Sequence, residues 1–198
     1  MPIAFQPETV PLQPSPTLKK WSRRESQFLY DHGFFDGQRY ELVEGELINK
    51  IGQNPPHAFA ITTLNVRLVQ LFADRLRLQL PIDVSSEDNP TSEPEPDAVV
   101  TRDRASAFAQ RPPGPGDIAW LIEVSDSTLR FDLTTKANLY ARAGIADYWV
   151  LDLVNRRVVV HRDPRAGAYT SVVAYADAEE VTPLLASAVA VRFGELAG

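Results

Sequence analysis

Two carboxylates and one lysine have the types and spacing to do chemistry in this chain. Asp97 closes the segment Pro94-Glu95-Pro96-Asp97 and leads into a short apolar strand, Ala98-Val99-Val100. Glu123 ends an apolar run, Ile118-Ala119-Trp120-Leu121-Ile122. A run that short and apolar reads as a strand buried on both faces. One strand begins on an acid and the other ends on one, so as antiparallel neighbours they would carry both acids to the same end of a sheet. Lys136 follows on a helix, one turn from Asp132. Two acids and a lysine converging at a sheet edge can hold a divalent cation and position a water. Oxygen ligands suit Mg²⁺ or Mn²⁺, and Mg²⁺ keeps part of its hydration shell beside one or two carboxylates. The backbone carbonyl of Val124 is a further candidate ligand.

These groups need elements to position them. The stretch from Ile118 to Asp152 reads as strand, helix, strand. Leu133, Ala137, Tyr140 and Ala143 recur at helical spacing, which predicts the helix. Asp132 can serve as its N-cap and Gly144 suits the position past its end. Tyr148-Trp149-Val150-Leu151 is the next strand, and Val154-Asn155 turns it into Arg157–His161. Tyr169–Tyr175 forms a further strand. In open α/β sheets, ligands bind at the strand ends where Glu123 falls.

Upstream, Ser22 and Glu25 fit a capping box, which predicts a short helix over Arg23–Asp31. Tyr40–Ile51 reads as a hairpin with Glu44-Gly45 at its turn. Pro55-Pro56 opens a helix, with Ala60, Leu64, Leu68, Leu71 and Phe72 on one face and an end near Leu78. Pro81–Ser85 is the expected next strand. From Glu179 short helical turns and irregular structure are expected. The division is a proline-rich extension over 1–21 and one domain over 22–198.

The 198 residues suit one such domain. There is no cysteine, which excludes disulfides, thiolate metal sites and a cysteine nucleophile. No apolar run approaches the roughly 18 residues of a membrane span. The first residues lack a basic segment followed by an apolar core, so no secretory signal is expected and the protein reads as cytoplasmic. A net charge of −6 argues against coating nucleic acid through charge alone. It leaves room for a nuclease, since a metal site needs carboxylates. Ser125 has no histidine partner to suggest a serine hydrolase. His57, at a helix start, reads as structural, and Tyr140 either faces the site or belongs to the core.

Pro96-Asp97, Glu123-Val124-Ser125, Asp132, Lys136, Tyr140, Tyr148-Trp149 and Asp152, in that order, resemble the PD-(D/E)XK nuclease superfamily. Within it they resemble the Uma family of restriction-endonuclease-like proteins, and Tyr40–Leu47 is similar to that family's N-terminal signature. The resemblance implies an α/β restriction-endonuclease-like core, a central mixed sheet flanked by helices, here with an extra N-terminal hairpin and C-terminal strands. It implies Mg²⁺- or Mn²⁺-dependent hydrolysis of phosphodiester bonds, with nucleic acid, DNA first, as partner and room for a homodimer. It casts Asp97, Glu123 and Lys136 as catalytic, Asp97 and Glu123 as metal ligands, and Glu41 as a further ligand. The superfamily tripeptide ends in lysine, whereas this chain has Ser125; Lys136 matches the place to which the lysine has moved. The rival reading is a non-catalytic binding module of the same fold.

Overall fold

Six strands form the central sheet, and their order across the sheet is their order along the chain. They are β3 (Leu76–Leu78), β4 (Ala98–Thr101), β5 (Ile118–Ser125), β6 (Asp147–Asp152), β7 (Arg157–Arg165) and β8 (Ala168–Ala176). Only β5 and β6 run parallel; the other neighbours are antiparallel. This computed structural model describes residues 17–50 and 54–198. The proline-rich first sixteen residues expected as an extension lie outside it, as do residues 51–53.

Alternation along the strands sorts the core into two layers. Ala98 and Val100 of β4, Trp120, Ile122 and Val124 of β5, and Trp149 and Leu151 of β6 face α2 (Pro55–Phe72) and α5 (Phe193–Ala197). Trp120 is packed edge-on to Trp149, with centroids 4.5 Å apart. Val99, Leu121, Tyr148 and Val150 face the other way, against Tyr140 of α4 (Ala137–Arg142). Asp97 shares parity with Val99, and Glu123 with Leu121. Because side chains alternate with period two, both acids belong to the α4 side.

The parallel β5–β6 pair needs a crossover, and the chain supplies a continuous helical run. It comprises α3 (Leu129–Phe131), a π segment (Asp132–Lys136) and α4. The run starts one turn earlier than expected, after Thr128, so Asp132 lies within it and is not its N-cap. Gly144 ends the run as expected, at φ 76°, with its N–H on the Ala141 carbonyl.

A separate hairpin, β1 (Tyr40–Val43) and β2 (Glu46–Asn49), turns at Glu44-Gly45. Both turn residues have positive φ, 50° and 78°, the geometry of a tight hairpin turn. α1 (Arg23–Asp31) precedes it, with the full Ser22–Glu25 capping box. Two upstream expectations are corrected. The long helix stops at Phe72, where Ala73 takes φ 43°, and Leu76–Leu78 pairs with Val100–Ala98 as the edge strand. Pro81–Ser85 is irregular, and its Ile82 N–H donates to the Pro94 carbonyl outside the sheet. Helical periodicity ran on past Phe72 in the sequence, but pairing along β4 claims those residues. Past Glu179, one bridge between Val181 and Val191 and the short α5 match the expected irregular tail. Among the described residues no helix is long and apolar enough to cross a membrane.

Candidate functional site

The antiparallel register of β4 and β5 sets Ala98 opposite Ile122. Asp97 and Glu123 thereby reach the same sheet edge, each one residue beyond that pair. The Val124 N–H donates to Asp97 Oδ2 at 2.8 Å, which fastens the first acid to the strand that carries the second. Asp97 is 6% exposed and Glu123 3%.

The crossover helix folds back across this edge. Lys136 Nζ lies 2.9 Å from Glu123 Oε1 and 2.9 Å from Glu41 Oε1, with Asp132 Oδ1 at 3.9 Å. The π segment has a wider turn than an α-helix, and such segments gather at functional sites. Here it buries Asp132 and Lys136 together on the inward face. Ser125, which stands where the tripeptide lysine would be, is fully buried. Its hydroxyl donates to Asp132 Oδ2 at 2.7 Å, and the Thr128 hydroxyl does the same.

One open reading is settled, and two features went unread in the sequence. The Tyr140 hydroxyl donates to Glu123 Oε1 at 2.9 Å, so the tyrosine both fills the core and touches the site. His57 Nε2 meets the Val124 carbonyl at 2.8 Å. A carbonyl only accepts, so that nitrogen carries the proton and one lone pair of the candidate ligand oxygen is taken. Both oxygens of Glu41 are engaged, Oε1 by Lys136 and Oε2 by the Glu95 N–H at 3.0 Å. Helical spacing hinted at Tyr140 facing Lys136; contacts between residues 67 positions apart have no local signal.

Burial governs the electrostatics. Four buried carboxylates, Glu41, Asp97, Glu123 and Asp132, share the single ammonium of Lys136. Burial raises the pKa of Glu123; Lys136 opposes this, while Asp97, Asp132 and Glu41 add to it. Burial also raises that of Asp132. Burial disfavours the Lys136 charge, yet Glu123, Glu41 and Asp132 outweigh it and hold its pKa well above the usual value. Burial, then Glu123, keeps the Tyr140 phenol protonated as a donor. The cluster is therefore short of positive charge.

A cavity of about 560 Å³ opens onto the cluster. Glu41, Asp97, Glu123, Asp132 and Lys136 line its buried part, and Arg39, Asn49, Asn54, Ser127 and Thr128 its exposed part. Asp97 Oδ1 and Glu123 Oε2 meet no donor among the described residues. Oxygens of this kind suit Mg²⁺ or Mn²⁺. No trio of His, Asp or Glu among the described residues is arranged as a metal cluster, so an ion here would rest on two carboxylates and complete its shell with water, as Mg²⁺ commonly does.

A mixed sheet with a crossover helix and acids at one edge defines a class of fold. The same fold occurs in a solved structure from Anabaena variabilis ATCC 29413 described as a "putative nuclease belonging to DUF820". The two share 20% identity with a TM-score of 0.57, over 79% of this chain and 88% of that one. Residues 26–192 match the family model Uma2, "Putative restriction endonuclease", and the chain belongs to that family. No curated protein matches it.

Proposed function

We propose that this protein is a nuclease that uses Mg²⁺ or Mn²⁺ to hydrolyse phosphodiester bonds in DNA. The carrying observation is the charge deficit of the buried cluster, four carboxylates to one lysine beside an open cavity. Asp97 and Glu123, whose carboxylates line the cavity, would hold the cation. Bound there, the ion polarises a phosphoryl oxygen and lowers the pKa of a bound water. Lys136 stands beside Glu123 and orients the attacking water while balancing charge that develops on the phosphoryl group. Glu41 and Tyr140 brace Lys136 and Glu123, and Asp132 is held by the hydroxyls of Ser125 and Thr128. Membership of the family described as "Putative restriction endonuclease", and the fold shared with the "putative nuclease" from Anabaena variabilis, support this reading.

Two measurements test it. Calorimetric titration with Mn²⁺ should show binding to wild type and little to Asp97→Ala; equal affinity sinks the shared site. Supercoiled plasmid and single-stranded circular DNA should both be assayed with Mn²⁺. Cleavage of at least one, lost in Lys136→Ala and not restored in Lys136→Arg, supports catalysis, because a planar guanidinium does not mimic a compact ammonium. Metal binding with no cleavage of either leaves the rival, a non-catalytic module of the same fold.

A further inference from the structure

Resting on the nuclease reading, we infer that the substrate of this site is an unpaired DNA strand, entered one nucleotide at a time, and not an intact duplex. Two independent observations carry this.

The first is depth. Asp97, Glu123 and Lys136 are only 6%, 3% and 3% exposed, in the buried part of the cavity. Its volume of about 560 Å³ lies within the range of about 300–1,000 Å³ that suits a small ligand. A nucleotide with its phosphate is a ligand of that size. A duplex is a stiff rod over its persistence length of about 50 nm, with its phosphates on the outside, and it cannot lower one of them into such a recess without distortion. Enzymes that work on recessed sites extrude a nucleotide, at a cost that is least when the base is unpaired. Phe131 and His57 line the cavity, and aromatic side chains accept an unpaired base by stacking.

The second is charge. Duplex binding draws on many lysine and arginine contacts to phosphates, and the cations at this mouth are already engaged. Arg39 lies 2.7 Å from Glu95 Oε2, and Lys50 donates to the Glu95 carbonyl at 2.6 Å. Asp126 adds negative charge on the same wall, and the whole chain carries −6. Such a mouth fits one or two phosphates.

The experiment compares Mn²⁺-dependent cleavage of three oligodeoxynucleotide substrates by the full chain: a single strand, the blunt duplex of that strand, and the duplex with an internal unpaired gap. Initial rates for the single strand should exceed those for the duplex at least tenfold, with cuts in the third substrate confined to the gap. Binding of the single strand should weaken only about sevenfold between 50 and 200 mM salt, as about two phosphate contacts imply, against the 10³–10⁵ loss of a protein with 6–10 contacts. Duplex cleaved as fast as single strand, or a steep salt dependence, overturns the inference and leaves the nuclease reading standing. No cleavage of any substrate overturns the nuclease reading and this inference with it.

Discussion

On one side of the cavity, Asp97 and Glu123 hang from β4 and β5, strands whose every residue is buried. On the other, Glu41 hangs from β1 of a two-stranded hairpin. The sheet side is fixed by apolar packing, with Trp120, Trp149 and Tyr148 fully enclosed. The hairpin side adds only a small cluster, Val43 with Val84 and Leu139. The preceding α1 buries no residue at all. Charged clasps and a few backbone bonds fasten this side instead. Arg23 pairs with Asp83 and Glu93, and Arg142 with Glu44 at 2.7 Å and Asp88 at 3.0 Å. The Glu93 N–H reaches the Leu42 carbonyl at 2.7 Å, and the Gly45 N–H reaches Thr91 at the same distance. Lys136 bridges the two sides, touching Glu123 on one and Glu41 on the other. Salt screens exposed ion pairs, whereas it does not screen apolar burial away. The acids that would hold a cation therefore sit on the rigid wall, and the brace for Lys136 sits on the wall that can loosen.

The largest effect is expected from the sheet wall. Trp120→Ala should cost about 3–5 kcal/mol, because the surrounding strands cannot close the hole. Chemical denaturation should show it as a lower midpoint for the whole protein. A loss below 1 kcal/mol would mean that the sheet is not the rigid half.

Lys136→Ala removes the bridge and leaves the buried acids without their cation. Breaking a buried ion pair in this way costs about 3–5 kcal/mol. If the missing charge is the cause, Mn²⁺ should raise the melting temperature of Lys136→Ala more than that of wild type. An equal rise in both would assign the loss to packing.

Acid probes the sheet wall at a different point. His161 of β7 is buried among Tyr148 and Tyr169, and its Nδ1 has no hydrogen-bond partner among the described residues. Burial lowers its pKa from 6.5 to about 4. Between those values the unfolded chain binds a proton that the folded one refuses. This contribution to stability is thus constant above about pH 6.5, falls as pH drops to about 4, and amounts to at most about 3 kcal/mol. His161→Phe should flatten the stability profile in that window, and an unchanged profile would clear the histidine.

The smallest effect belongs to the clasp. Arg142→Ala should cost about 1 kcal/mol or less, as partly exposed pairs do. Its signature is local: in hydrogen exchange the Glu93 and Gly45 amides should speed up, while those of β5 stay protected. Salt near 1 M, where screening acts over about 3 Å, should reproduce part of that change in wild type. Equal acceleration in β5 would show the two walls to be one cooperative unit.

The local features of this chain were legible in its sequence. The Ser22–Glu25 box, the Glu44-Gly45 turn and the Gly144 stop depend on residues a few positions apart, and each formed as read. The apolar runs, one beginning and one ending on an acid, also told that Asp97 and Glu123 would share a sheet end if their strands paired antiparallel, and the pairing of β4 with β5 met that condition. Tertiary structure decided the rest. Leu76–Leu78 became the edge strand, in place of Pro81–Ser85, because β4 offered it a partner some 22 residues further on. Asp132, a plausible cap by spacing, was drawn into the buried cluster by the hydroxyls of Ser125 and Thr128. Glu41 came to face Lys136 across 95 positions of sequence. Nothing in a helix or a hairpin encodes such a meeting; it follows from how the layers pack, and a buried charge takes whichever partner the packing brings within reach.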